Sequence, residues 1–314
     1  MEIFLHAIAG VLTLIMIGMV GCILAHKGWF NADNKGILTQ LVNFVALPPF
    51  LFYSLVHAFT RDELYHLIYG AVVPFLSMFI CFGLSIVIGR IFSVNKCHLG
   101  IFHASFTTSN SIFVGIPVTL ALFGEKALPY TLLYFFANTT FFWTVGNYAL
   151  SLDNGGMPKV PLFSISTLKR IFSGPMLGFL LAIFFILFGL TLPEPIMEAA
   201  HYLGNMTTPL ALIFVGITLY GMNLRKIRMN ADLLWVLLGR FVVSPLSIYL
   251  LAQFMPIPDL MFRVFIIMAS LPAMVQIVVL SSFYNSDVDY ATLVVSVTTI
   301  LSIATIPIYM VLLG

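Results

Sequence analysis

Thr107-Thr108-Ser109-Asn110-Ser111 sets five consecutive hydroxyl or amide side chains inside a stretch that is otherwise rich in Ile, Phe, Val and Leu. In apolar surroundings each polar group needs a partner, because an unsatisfied one costs several kcal/mol. Ser and Thr can bond back to their own helix, whereas Asn110 is harder to satisfy that way. Gly115 and Pro117 follow, and Pro117 removes a helical hydrogen bond. A second such place is Ser270-Leu271-Pro272-Ala273-Met274-Val275-Gln276. There Gln276 stands one turn after Pro272, on the same face of any continuing helix. Two interrupted helices that meet bring half-helix N-termini together, and those ends carry unpaired N–H groups and partial positive charge. They can hold a carboxylate without a Lys or Arg. The chemistry is therefore anion binding, with Ser109, Asn110, Ser111, Gly115, Pro272 and Gln276 as candidate binding residues. The competing reading is a pair of kinked structural helices whose hydroxyls face their neighbours.

Further polar residues stand in apolar runs. Asn43 precedes Pro48-Pro49, and Asn205 precedes Pro209; each Asn either lines a substrate path or hydrogen-bonds helix to helix. Asn138, with Thr139 and Thr140, either reaches the first interruption or binds helices together. Arg240 is a functional candidate by default, but it can equally reach an interface or cap a carbonyl, and the structural role is favoured. Pro48, Pro49, Pro117 and Pro209 are read with it as structural or hinge residues. His57 and His103 are the best placed histidines. No Asp or Glu sits deep in an apolar segment, so a carboxylate proton relay is not visible. Coupling would use Na+ at backbone carbonyls, a histidine, or the membrane potential alone.

The elements that carry these residues follow from composition. Of 314 residues 61% are hydrophobic and 8% are charged, against about 25% charged in soluble domains, so the bilayer must act as solvent. Ten segments reach the roughly 20 apolar residues of a spanning helix: about 3–25, 37–59, 67–89, 99–122, 127–151, 171–190, 199–221, 233–255, 260–283 and 289–312. The first lacks a basic n-region and is too long for a cleaved signal, so it counts as a retained span. Residues 152–170, with Asn154-Gly155-Gly156 and Pro158, read as a cytoplasmic linker between halves 1–151 and 171–314. Odd-numbered loops hold ten Lys and Arg and even-numbered loops three, which predicts cytoplasmic odd loops and extracytoplasmic termini. Pro49 and Pro209 lie 160 residues apart, and Asn110 and Pro272 lie 162 apart. That near-constant offset predicts a duplication, and an odd number of spans per half makes the two repeats inverted, as in secondary transporters.

Other function classes lack their residues. There is no Gly-x4-Gly-Lys loop for an ATPase and no nucleophile with its base, so no enzyme is expected. Cys22, Cys81 and Cys97 show no metal spacing. Net charge is +2 without a basic stripe, which argues against nucleic acid. No cofactor is implied. A channel would want a symmetric polar pore, whereas polarity here concentrates at two points.

Ser109-Asn110-Ser111-Ile112-Phe113-Val114-Gly115-Ile116-Pro117, followed by Leu122-Phe123-Gly124, resembles the fourth-span motif of the auxin efflux carrier family. Arg240-Phe241 with Pro245 resembles its eighth span, and Leu271-Pro272, Phe283-Tyr284-Asn285 and Ile306-Pro307-Ile308-Tyr309-Met310 resemble its ninth and tenth. The likeness runs along essentially the whole chain. It implies ten spans with broken, crossing helices four and nine, a scaffold of spans 1, 2, 6 and 7, a moving transport domain of spans 3–5 and 8–10, and a homodimer. The short linker resembles that of bacterial malate and malonate permeases, while plant members with long central loops export auxin. Plant members usually have Pro where Ser109 stands, which predicts a less sharply broken first crossing here.

Overall fold

The computed structural model describes residues 2–30, 34, 36–153, 174–221 and 229–313, and among them the protein is all helical. Most of the linker at 152–170 lies outside the described residues, as do Lys35, Lys159, Lys169, Arg170, Arg225, Lys226 and Arg228 of the loop-charge count.

In chain order the helices are α1 (Glu2–His26), α2 (Gly36–Ala58), α3 (Arg61–Ile91), α4 (Leu99–Thr107) and α5 (Ser111–Phe123). Next, Leu128–Phe141, Phe142–Gly146 and Asn147–Leu152 run on as α6. The remainder are α7 (Gly174–Phe188), α8 (Glu194–Tyr220, with a kink at Met206), α9 (Ala231–Phe254), α10 (Asp259–Ala269), α11 (Gln276–Phe283) and α12 (Val288–Leu312). Five of them, α2, α8, α9, α12 and the Tyr69–Ile91 part of α3, are long and apolar enough to cross a bilayer. Their outward faces keep large apolar side chains exposed, among them Phe44, Phe79, Leu250 and Ile308, as expected where lipid is the neighbour.

Three helices contain a widened π-helical turn just ahead of a proline: Leu41–Ala46 before Pro48, Ser111–Gly115 before Pro117, and Gly239–Val243 before Pro245. A proline ring clashes with the carbonyl four residues back and supplies no N–H. The wider turn relieves that clash while the helix runs on. The helices thus run on through Pro48 and Pro117.

The described residues divide into two compact units. One comprises Met1–Tyr69, Ile112–Leu133 and Phe172–Met222; the other comprises Gly70–Ser111, Tyr134–Ile171 and Asn223–Gly314. Within the first, α1 packs on α8 with backbones in contact. A Cβ on Gly216 would lie 1.8 Å from the Gly18 carbonyl oxygen, so only glycine fits, and Cys22 Sγ donates to the Gly216 oxygen at 3.2 Å. Within the second unit, α4, α9, α11 and α12 contribute to one buried apolar core with Phe106, Val236, Ile277 and Val294.

Candidate functional site

The site is built where α4 and α10 stop inside the second unit. At the end of α4, Thr107 Oγ1 donates to the His103 oxygen and Thr108 Oγ1 to the Ala104 oxygen, both at 2.8 Å. Thr108 then turns extended, at φ −102° and ψ 142°. The expectation of a less sharp break is therefore corrected: the helix ends without a proline. Hydroxyls that bond back to carbonyls compete with the helix, and Ser109 finds better partners elsewhere. At the end of α10, the Ser270 N–H bonds to the Ile266 and Ile267 oxygens, each at 3.0 Å, and Pro272 cannot continue the helix.

The two extended segments pair with each other. Ser109 and Ala273 form an isolated antiparallel bridge, and the Asn110 N–H donates to the Pro272 oxygen at 2.9 Å. The Asn138 amide acts as a substitute peptide group. Its Oδ1 accepts the Ser109 N–H at 2.9 Å, while its Nδ2 donates to the Ser109 oxygen at 2.8 Å and to Ser111 Oγ at 3.1 Å. On the other side, Thr298 Oγ1 accepts the Ala273 N–H at 3.1 Å. One side chain from α6 and one from α12 thus replace the ladder that an isolated bridge lacks.

Arg240 closes the arrangement and is wholly buried. Its Nη1 donates to the Thr107 oxygen at 2.8 Å, and Nη2 to the Ala269 and Leu271 oxygens at 2.7 and 3.1 Å. Its Nε donates to the Leu271 oxygen at 3.2 Å. These oxygens end or closely follow α4 and α10, where a helix leaves carbonyls unpaired and carries partial negative charge. One planar, permanently charged fork therefore caps two helix C-termini at once. The intramembrane arginine is committed to backbone oxygens.

Beyond the bridge, within the same unit, α11 begins at Gln276, and the Ile277 and Val278 N–H groups of its first turn bond to the Met274 and Val275 oxygens, each at 3.1 Å. Ser109, Asn110 and Ser111 are buried, as is Pro272. Gln276 Oε1 is buried and has no partner among the described residues.

Of the residues singled out in the sequence, Ser109, Asn110, Ser111, Asn138, Arg240, Pro272 and Gln276 lie in one unit. Gly115, Pro117, Asn43, Pro48, Pro49, Asn205 and Pro209 belong to the other unit. Asn43 is half-buried on α2 and Asn205 is exposed on α8. Thr298 was missed. A signal existed, because it stands 160 residues after Asn138, the spacing of Pro49 and Pro209. His103 is taken up by Ser85, whose Oγ lies 2.9 Å from its Nδ1. His57 lies in the first unit, its Nδ1 2.9 Å from the Tyr53 carbonyl oxygen. The described residues contain no group of three or more His, Cys, Asp or Glu able to hold a metal ion.

The profile of a protein family described as membrane transport proteins, Mem_trans, matches residues 6–310. The chain belongs to this family. Mem_trans members are transporters, and the apolar helices embed this one in a membrane. An uncharacterized transporter of Methanothermobacter thermautotrophicus is 27% identical over 314 residues, covering 99% of this chain and 100% of that one. An uncharacterized transporter of Methanocaldococcus jannaschii is 24% identical over 306 residues, 95% and 96% of the two chains. A Rhizobium meliloti protein provisionally named a malonate transporter is 24% identical over 280 residues, 87% of this chain and 85% of its own.

Proposed function

We propose that this Mem_trans protein is a secondary transporter of small organic anions, malate- or malonate-like carboxylates, working by alternating access. The observation that carries this reading is the division of labour at the crossing. Arg240 neutralises the C-terminal ends of α4 and α10, and the polar side chains of Ser109, Asn110, Ser111 and Gln276 at the start of α11 are left to face a guest. A carboxylate there replaces its hydration shell with these side chains. The malonate name of the Rhizobium meliloti relative supports the substrate class.

In this reading α4 with α5, and α10 with α11, are the interrupted fourth and ninth of ten spans in two inverted five-helix repeats. The transport domain of spans 3–5 and 8–10 is the part that travels, as in an elevator, and exposes the site alternately. The protein works as a homodimer in the cell membrane with both termini outside. Na+ or H+ coupling is open in this reading.

The test is uptake into liposomes holding the purified protein. Radiolabelled malate, malonate, lactate and indole-3-acetate are offered with and without Na+ or a pH gradient. Saturable uptake of malate or malonate is expected. Preference for indole-3-acetate would move the reading to an auxin-like monocarboxylate carrier, and saturable uptake of none of the four would overturn it.

A further inference from the structure

At the opposite end of α4 from the crossing, His98 sits in the turn just before the helix and is buried. Its Nε2 lies 2.9 Å from Asp232 Oδ2 at the start of α9. Its Nδ1 lies 3.0 Å from Asp287 Oδ2 ahead of α12. The ring stacks on Tyr290, with centroids 3.7 Å apart and planes 14° apart. All of these residues belong to the same unit.

Counting protons gives these contacts a meaning. An ionised carboxylate only accepts, and a neutral imidazole has one N–H to give. Both contacts can be hydrogen bonds only if the trio holds two protons. One belongs to any neutral imidazole; the other is taken from water. With both protons on the ring, each contact has its donor and each carboxylate only accepts.

We propose that His98, Asp232 and Asp287 form a proton-binding site that fastens the N-terminal ends of α4, α9 and α12 to one another. Each carboxylate is also tied to backbone. Asp232 Oδ2 accepts the Asn95 N–H at 3.3 Å, and Asp287 Oδ1 accepts the Tyr290 N–H at 2.9 Å. Among the described residues, Tyr290 stacks on the ring, Lys96 is exposed on the same turn, and Asp153 at the end of α6 is close enough for its charge to act on His98. The Asp153 carboxylate accepts the Gly100 and Ile101 N–H groups at 2.5 and 2.9 Å. Burial pushes that carboxyl up to about 6, against the pull of the two N–H groups and of His98, and the charge of Asp287 adds to the rise. Negative charge is thus in excess around the imidazole, and a bound proton relieves it.

The three fastened helices also supply the crossing: α4 ends at Thr107, α9 carries Arg240 and α12 carries Thr298. Loss of the proton breaks one of the two ring contacts and frees a helix start. The site stands whether or not the crossing takes a carboxylate, since its test needs no substrate.

The experiment uses the full chain in lipid nanodiscs. With 15N-labelled histidine, and His98→Gln to mark the resonance, both ring nitrogens of His98 are expected to be protonated at pH 6. A bare ring nitrogen at that pH overturns the proposal. Hydrogen exchange is then read at the amides of Asn95 and Tyr290 at pH 6 and pH 8.5, corrected for the intrinsic rate. The wild type is expected to lose about tenfold in protection at the higher pH. His98→Gln and Asp287→Asn are expected to show no such change. An equal change in wild type and variants, or none in the wild type, overturns it. Should His98→Gln fail to fold, Asp287→Asn carries the comparison, because Asn keeps the acceptor for Tyr290 and removes the need for a second proton.

Discussion

Arg240 shows what a lone buried charge can do when its partners are carbonyl oxygens rather than a carboxylate. Three peptide oxygens, those of Thr107, Ala269 and Leu271, depend on it. Replacing it by Met strands them in an apolar interior at about 1–3 kcal/mol each, so Arg240→Met is expected to lower thermal stability sharply. Arg240→Lys keeps the charge but not the planar fork, and should fall between Met and wild type. A melting series in detergent measures this order. An arginine that merely bound substrate would instead leave melting unchanged in both variants. Thr298 makes a smaller, separable contribution. Thr298→Val removes the acceptor for the Ala273 N–H and should cost about 1–3 kcal/mol, whereas Thr298→Ser, which keeps the hydroxyl, should melt close to wild type. At this level the sequence pointed to the crossing at Asn110, Asn138 and Arg240, where a polar residue interrupts an apolar run, but Asn43 and Asn205, singled out on the same ground, lie in the other unit. Thr298 escaped notice because a threonine can satisfy itself within its own helix, as its bond to the Val294 oxygen shows. His98 escaped because its partners lie 134 and 189 residues away.

The helices are where propensity and tertiary demand part company. Pro48, Pro117 and Pro245 stand out in the sequence, but the break after Thr107 contains no proline. It arises because Asn138 and Arg240 offer that backbone partners that a continuous helix could not use, and those partners come from other helices. Close helix contact is the second constraint. A Cβ at Gly216 would overlap the Gly18 oxygen, so Gly216→Ala must push α1 away from α8, at about 1–3 kcal/mol by the usual cost of overpacking; lowered melting checks it. The start of α4 brings in pH. Asp153 has a folded-state pKa raised from 3.8 to about 6, so the folded protein binds this proton more tightly than the unfolded chain. Its contribution to stability is then greatest below pH 4, declines as pH rises through 4 to 6, and is flat above. A melting profile between pH 4 and 8 should show that slope in the wild type and lose it in Asp153→Asn.

For the molecule as a whole, composition alone required a bilayer, and the family match along residues 6–310 agrees with it. The expected scaffold and transport domain came only from resemblance, since nothing in composition or periodicity distinguishes a helix that carries a site from one that supports it. Orientation rests on loop charge, and the cysteines allow a check. Cys97 is exposed in the second odd-numbered loop, Cys81 is buried, and Cys22 is partly covered on α1. An impermeant maleimide should label Cys97 only after the cells are permeabilised; labelling of intact cells would reverse the topology. Whether the crossing of α4 and α10 holds a carboxylate is decided most directly by equilibrium binding of malonate to the purified protein. Asn110→Ala and Gln276→Ala, with unchanged melting temperatures, are expected to bind at least about tenfold more weakly than wild type, a loss of about 1.4 kcal/mol. Malonate bound as tightly by both variants as by the wild type would contradict a site at the crossing.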